Sequence, residues 1–266
     1  MDKGRFAVYR TVDVNVVDIV DRLGKGITGK EKHHDMWHAI PESFIGSTPT
    51  QLIHHHRSRS KSLNQSLLVI ADRQDLAAEG LLVVNLDFKG SIDALRQKIF
   101  FAGDFVPSVN IGNTPWEETL SNATLPLYPR RKFAVFADRG FHPRYLMTEA
   151  LKRMNAGLGN RRAETGSIFA DWESAPGDDV GEIVRFWREN ARERDWDARY
   201  FVLVKKDAWD QGKADMISLQ DGQDKAHETT INVDRIGEVL VQLYVGLITL
   251  DEVKETNMDN QGGAGP

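Results

Sequence analysis

Apolar residues along this chain fall into short runs separated by helical spacings, and the succession occurs twice. Phe6-Ala7-Val8-Tyr9 and Phe133-Ala134-Val135-Phe136 are apolar runs that suit buried strands. A helical pattern follows each: Val16, Val20 and Leu23 after Asp13 as a cap, and Leu146, Ala150, Leu151 and Met154 after His142-Pro143. A second strand is predicted near Trp37–Ile40 and again over Ser167–Trp172. Thr48-Pro49-Thr50-Gln51 then reads as a cap, a first-turn proline and a capping-box glutamine. Its counterpart, Gly177-Asp178-Asp179, places carboxylates at the positive end of a helix. Two further runs, Leu67–Ala71 with Leu81–Leu86 and Phe201–Val204 with Met216–Leu219, are joined by short turn-bearing segments and predict antiparallel pairs. A last helix closes each set, from Ser91 through Ile92, Leu95 and Ile99, and from Asp234 through Ile236, Val239, Leu240, Leu243 and Tyr244.

The predicted order is β-α-β-α-β-β-α, twice. A parallel crossover followed by a hairpin makes a mixed sheet covered by helices, so the fold class is α/β in two tandem units. This is the element order of thioredoxin-like domains, although a chain without cysteine carries none of their redox chemistry. The duplication is also visible residue by residue. At an offset of 131, Ala39 meets Ala170, Glu42-Ser43 meets Glu173-Ser174, Gly46 meets Gly177, Arg57 meets Arg188, and Arg22 meets Arg153. Phe100–Gly103 is paired with Leu243–Gly246. The units are set at 1–103 and 132–256, with a proline-containing linker over 104–131 and a disordered glycine-rich tail over 257–266.

The first unit also resembles a microbial family known as domain of unknown function six-nine-two-four. The likeness rests on a strand ending in Arg10-Thr11, on Gly46-Ser47-Thr48-Pro49 before a helix, and on Leu68-Val69-Ile70-Ala71-Asp72 followed by Leu82-Val83-Val84-Asn85-Leu86. In the second unit, Ile231-Asn232-Val233 with its helix and Leu247–Val253 are similar. The linker and the Lys25–Asp35 region depart from that pattern. The resemblance implies the fold and brings no activity.

Composition narrows the function classes. Hydrophobic residues make up 41% and charged residues 27%, ordinary values for a soluble protein. A net charge of −5 lacks the basic footprint of a nucleic-acid binder. No cysteine means no thiol nucleophile, disulfide, thiolate zinc site or iron–sulfur cluster. No apolar run has the length of a signal peptide or a membrane span, which predicts a cytoplasmic protein with no membrane partner.

Strand ends are where open α/β sheets collect ligands. Arg10, Thr11, Asp72 and Arg73 in the first unit, with Asp138 and Arg139 in the second, are therefore the candidate ligand-binding residues. Alternating Asp and Arg suit a small anion or a peptide carboxylate, against the plainer reading of surface ion pairs. Six of the eight histidines lie between His33 and His56. His34, Asp35 and His38 offer a metal-binding alternative, weighed against a solvated helix end. The second copy has Arg185, Phe186 and Trp187 where the first has His54, His55 and His56, so the fold does not need these histidines. Gly46-Ser47-Thr48 admits a phosphate cradle, but helix capping explains it as well. Gly-x-Ser-x-Gly and His-Glu-x-x-His are absent.

The expectation is thus a non-catalytic binding or scaffold protein, without a cofactor, whose partner is an unknown protein or small molecule and whose two units pack together. The alternative is a small-molecule or metal-dependent hydrolase using the histidine-rich first unit. Four of six tryptophans fall in the second unit, which predicts that Trp187 or Trp196 contacts the first unit or the linker.

Overall fold

The computed structural model describes residues 4–30, 33–59, 62–88, 91–116, 124–125, 131–139, 141, 144–156, 158, 168–170, 172–219 and 226–259. The chain divides into two compact units, Met1–Leu127 with Val245–Leu247, and Tyr128–Tyr244 with Ile248–Pro266.

The first unit runs β1 (Arg5–Arg10), α1 (Val16–Lys25), β2 (Trp37–Ala39), α2 (Pro49–Arg57), β3 (Leu63–Ala71), α3 (Leu76–Glu79), β4 (Leu81–Phe88), β5 (Ser91–Gln97), α4 (Ile99–Asn110) and β6 (Thr124–Leu125). Its sheet has the order β2-β1-β3-β4-β5-β6. β1 is parallel to β2 and β3, and the remaining pairs are antiparallel. Alternation along β1 decides which helices cover which face. Phe6 and Val8 join Val16, Ile19, Val20 and Leu23 of α1 and Ile99, Ala102 and Phe105 of α4 in one core cluster. Tyr9 points the other way and meets His56 of α2.

The second unit runs β7 (Lys132–Ala137), α5 (Arg144–Ala156), β8 (Glu173–Ser174), α6 (Val180–Asn190), β9 (Trp196–Val204), α7 (Lys206–Trp209), β10 (Lys213–Leu219), β11 (Ala226–Asn232), α8 (Ile236–Tyr244) and α9 (Leu250–Asp259). Its sheet order, β11-β10-β9-β7-β8, is the first unit's β5-β4-β3-β1-β2 over again. Ala134 and Phe136 of β7 pack with Ile183, Val184 and Trp187 of α6.

Two mixed sheets flanked by helices are thus present, as the apolar pattern predicts, with two strands more than expected in the first unit, β5 and β6, and one more in the second, β11. The segment opening at Ser91 is a strand, not the start of a helix. Ala94, Leu95, Arg96 and Gln97 are all buried in succession, which a helix packed by one face does not do. They complete the free edge of β4, from Leu81↔Gln97 to Asn85↔Asp93. β11 does the same for β10. The helix that follows, α4, continues to Asn110 with Pro107 inside it, so the expected linker begins within a helix. The predicted strand over 167–172 reduces to a bridge from Phe169 to Phe133, with β8 just after it. Asn15, not Asp13, caps α1. The capping box of Thr48 and Gln51 is present in both directions. Of the predicted tail, 257–259 belong to α9, and 260–266 lie outside the described residues.

The two units match in fine detail. Arg5 pairs with Leu63 and Ala7 with Leu68, so β3 carries extra residues opposite a short stretch of β1; Lys132 with Trp196 and Ala134 with Phe201 repeat the irregularity. A side chain on Gly103 would collide with the carbonyl of Leu23, and one on Gly237 with the carbonyl of Met154. Glycine thus permits the same close approach of α4 to α1 and of α8 to α5. These contacts correct the alignment: the counterpart of Gly103 is Gly237, so Phe100–Gly103 does not correspond to Leu243–Gly246. The uniform offset of 131 applies to α1 with α5 and α2 with α6, and changes by a few residues elsewhere.

Candidate functional site

The predicted strand-end residues are brought together within each unit. Arg10 pairs in register with Ala71, so Arg10-Thr11 and Asp72-Arg73 leave adjacent parallel strands side by side. Thr11 is buried; its N–H donates to Ala71 O at 2.9 Å, and its carbonyl accepts from Gly46 N–H at 2.9 Å. Arg10 Nη1 donates to Val14 O at 2.8 Å, while its buried Nε–H has no partner among the described residues. Asp72 is held by Arg96 of β5 through a two-pronged pair, Nη1 to Oδ1 at 2.8 Å and Nη2 to Oδ2 at 2.6 Å. Arg96 is 4% exposed, so this pair is screened little by solvent. Arg73 Nε lies 3.8 Å from the same carboxylate.

In the second unit Asp138 takes the place of Thr11. Its N–H donates to Val204 O at 3.1 Å, its Oδ2 accepts from Lys206 N–H at 3.3 Å, and its Oδ1 is buried without a partner among the described residues. Arg139 donates to Pro176 O at 2.9 Å. Lys205, the counterpart of Asp72, reverses the charge. Its ammonium lies 2.9 Å from Asp215 and 2.5 Å from Glu228, and Thr230 Oγ1 donates to Asp215 at 2.7 Å. Burial works against the Lys205 charge, but the bonds to Glu228 and Asp215 outweigh it and hold its pKa above the usual lysine value. Sequence reading found the strand ends and missed Arg96, Asp215 and Glu228. These come from β5, β10 and β11, and only sheet register aligns them with the ends of β3 and β9.

The phosphate-cradle reading of the α2 N-terminus meets a filled site. Thr48 Oγ1 accepts from Gln51 N–H, and the Thr50 N–H and Oγ1–H both donate to Gly246 O, at 2.9 and 2.6 Å.

The histidines do not converge. His34 and Asp35 are exposed on a 3₁₀ turn, and His38 lies on β2. Among the described residues no group of three or more His, Asp or Glu is placed to hold a metal, so His34, Asp35 and His38 do not form the metal-binding set considered above. His33 Nε2 is 3.5 Å from Asp104. His54 is exposed, and His55 Nε2 accepts from Arg59 Nε at 2.9 Å with its ring 4.7 Å from Phe44.

His56 is different, and it corrects the reading of these histidines as a solvated helix end. It is fully buried, with Tyr9 OH 3.0 Å from Nδ1 and Asn64 O 2.8 Å from Nε2. A carbonyl only accepts, so Nε2 carries the proton and Nδ1 accepts from the tyrosine. Burial pushes the Tyr9 hydroxyl up to about 12, with Arg59 opposing and Glu42 adding to the shift. Burial also lowers the His56 pKa below the ordinary histidine value; the bond to Asn64 works the other way, and His55, Arg57 and Arg59 add to the lowering.

In the second unit the same two positions are Phe136 and Trp187. Trp187 is 1% exposed and packs on Phe201 at 4.9 Å, beside Phe136. Trp196 lies 5.6 Å from Phe136 in the same core. Both tryptophans pack in the core of their own unit. An open groove of about 660 Å3 lies along α6, lined by Val180, Val184, Arg185, Arg188 and Ala226.

No family model matches the chain, and no curated protein matches it. Among solved structures, the apo histidyl-tRNA synthetase of S. aureus matches with 13% identity and a TM-score of 0.26, over 64% of this chain. The chain spans about half of that protein, 49% of its length, and a likeness this slight carries no argument about function.

Proposed function

We propose that this is a non-catalytic binding or scaffold protein of the cytoplasm, built from a duplicated α/β unit, whose first unit takes a small carboxylate or other anion at the ends of β1 and β3. The observation that supports this reading is Arg10. Its Nε–H is buried without a partner among the described residues, beside Thr11 and beside an Asp72 already neutralised by Arg96. A buried donor of this kind is costly to leave unmade, and an anionic acceptor satisfies it. The thioredoxin-like element order stays part of this reading; the sheet orders β2-β1-β3-β4 and β8-β7-β9-β10 support it, and β5 and β11 are additions to it.

The test is titration of the whole protein with small mono- and dicarboxylates and phosphate, followed by calorimetry and thermal shift. Saturable binding that Arg10→Ala abolishes is expected. Absence of binding in the wild-type protein overturns the ligand assignment. The hydrolase alternative keeps its own test: turnover of ester or phosphoester substrates, with and without added divalent metals, overturns the non-catalytic reading. Such turnover lost on changing His34 and His38 to Ala assigns it to those residues.

A further inference from the structure

Duplication supplies an internal control for the buried pair beneath α2. At one point in the core the first unit holds Tyr9 and His56, and the second holds Phe136 and Trp187. The strands, register and covering helix around them are the same. We infer that the Tyr9–His56 pair is a proton-operated latch: taking up a proton on His56 in mild acid releases α2 from the first unit's sheet, while α6 of the second unit stays closed.

The geometry shows why. In the neutral ring both nitrogens are used, Nε2–H by Asn64 O and the Nδ1 lone pair by Tyr9 OH. A proton on Nδ1 removes the acceptor that Tyr9 OH uses and places a full positive charge at a site with no exposed surface. Among the described residues, the groups facing the ring do not offset that charge. β1 contributes the neutral Tyr9, and β3 the Asn64 carbonyl. α2 itself contributes His55 and Arg57, and the turn after it Arg59. Glu42, ahead of α2, is engaged by Arg59. Opening α2 to water is the route that hydrates the charge. The ordinary histidine value is about 6.5, and the folded value lies below it. The first unit's local stability is therefore whole above that pH and falls as pH drops from there toward the folded value.

The pair also explains a feature that capping leaves open. α2 is a short helix ending in three histidines and an arginine, yet one of those histidines is fully buried. A tryptophan fills the same place in the second unit, so packing alone does not call for an ionisable group there.

Hydrogen exchange read by mass spectrometry on the full chain tests this, because it reports the two units separately. Rates are compared between pH 7.5 and pH 5 after normalising to the intrinsic exchange at each pH. Protection over Pro49–Arg57 and Leu63–Ala71 is expected to fall on acidification, by at most about tenfold per pH unit for one proton. Protection over Val180–Asn190 and Trp196–Val204 is expected to hold. His56→Gln keeps a donor and an acceptor but cannot titrate, and it should remove the acid response. The double change Tyr9→Phe with His56→Trp installs the second unit's pair and should do the same. If either variant lacks protection at pH 7.5, the wild-type histidine ring resonances followed by NMR decide. His56 taking up its proton together with loss of α2 protection supports the latch, and titration of His56 with α2 still protected overturns it. Equal loss in both units, or an acid response that persists in His56→Gln, also overturns it.

Discussion

Asn64 and Asp197 do the same work in the two units. Asn64 Oδ1 accepts from the N–H groups of Ser66 and Leu67 at 3.0 and 2.8 Å, and Asp197 Oδ1 accepts from those of Arg199 and Tyr200 at 2.8 and 3.0 Å. Both side chains are buried. Each sits where β3 or β9 slips against its parallel neighbour, between Leu63 and Leu68 or between Trp196 and Phe201. The irregularity leaves backbone donors that the ladder does not use, and one short polar side chain satisfies two of them.

Asn64→Ala and Asp197→Ala should therefore each destabilise their own unit, by about 1–3 kcal/mol for the buried donors left unmade. Asp197→Asn keeps the acceptor and should cost less; Asn64→Asp keeps it too, but loses the bond that Asn64 Nδ2 donates to Asn110 Oδ1 at 2.7 Å and buries a charge, so it should not. Urea unfolding followed by hydrogen exchange on each unit measures this; loss of less than half a unit's protection in both alanine variants would remove the shared role.

Gly103→Ala and Gly237→Ala should both be costly, because the added methyl meets a backbone carbonyl, of Leu23 or of Met154, and not a yielding side-chain tip. Overpacking of this kind costs about 1–3 kcal/mol. Gly29→Ala is a poor control because of its positive φ, so an alanine substitution at exposed Val17 serves instead. Thermal unfolding should rank the two glycine variants well below it.

Asp72→Ala should destabilise the first unit by about 3–5 kcal/mol, since it leaves the Arg96 guanidinium buried without its carboxylate. The double variant Asp72→Ala with Arg96→Leu should be more stable than the single one. A double variant that is no better would show that the burial of Arg96 does not set the cost.

Arg153 donates to both oxygens of Asp234, at 2.9 and 2.7 Å, and these bonds hold the Asp234 pKa below the usual carboxylate value. The sign follows from the depression: the contribution is present above the unfolded value, about 3.9, and is lost as pH falls through the folded one. Both side chains are partly exposed, so the effect is small. Asp234→Asn should flatten the acid limb of the second unit's stability profile below about pH 4 without changing its slope at neutral pH.

Much of the fold is legible in the apolar pattern. The runs at Phe6–Tyr9 and Phe133–Phe136, the helical spacings after them, and the capping box at Thr48 are local signals, and local signals survive being read one residue after another. So does the duplication, because Leu52, Ile53 and His56 occupy the same helical face as Ile183, Val184 and Trp187. Strand β5 was not legible. Ile92, Leu95 and Ile99 fit a helical spacing, and only the unfilled edge of β4 makes the segment extended. The candidate site divides in the same way. Arg10, Thr11, Asp72 and Arg73 could be placed from strand order alone. Arg96 could not, because it reaches Asp72 from a strand whose existence depends on its neighbour. The Tyr9–His56 pair was half visible, since the copies differ at both positions, but the differences lie 47 residues apart. Amino-acid order determined which segments are apolar, where helices begin and that the unit recurs. Tertiary structure decided which polar groups meet, because a hydrogen bond between β1 and α2 depends on the sheet face each side chain takes, and that face is set by register and not by sequence spacing.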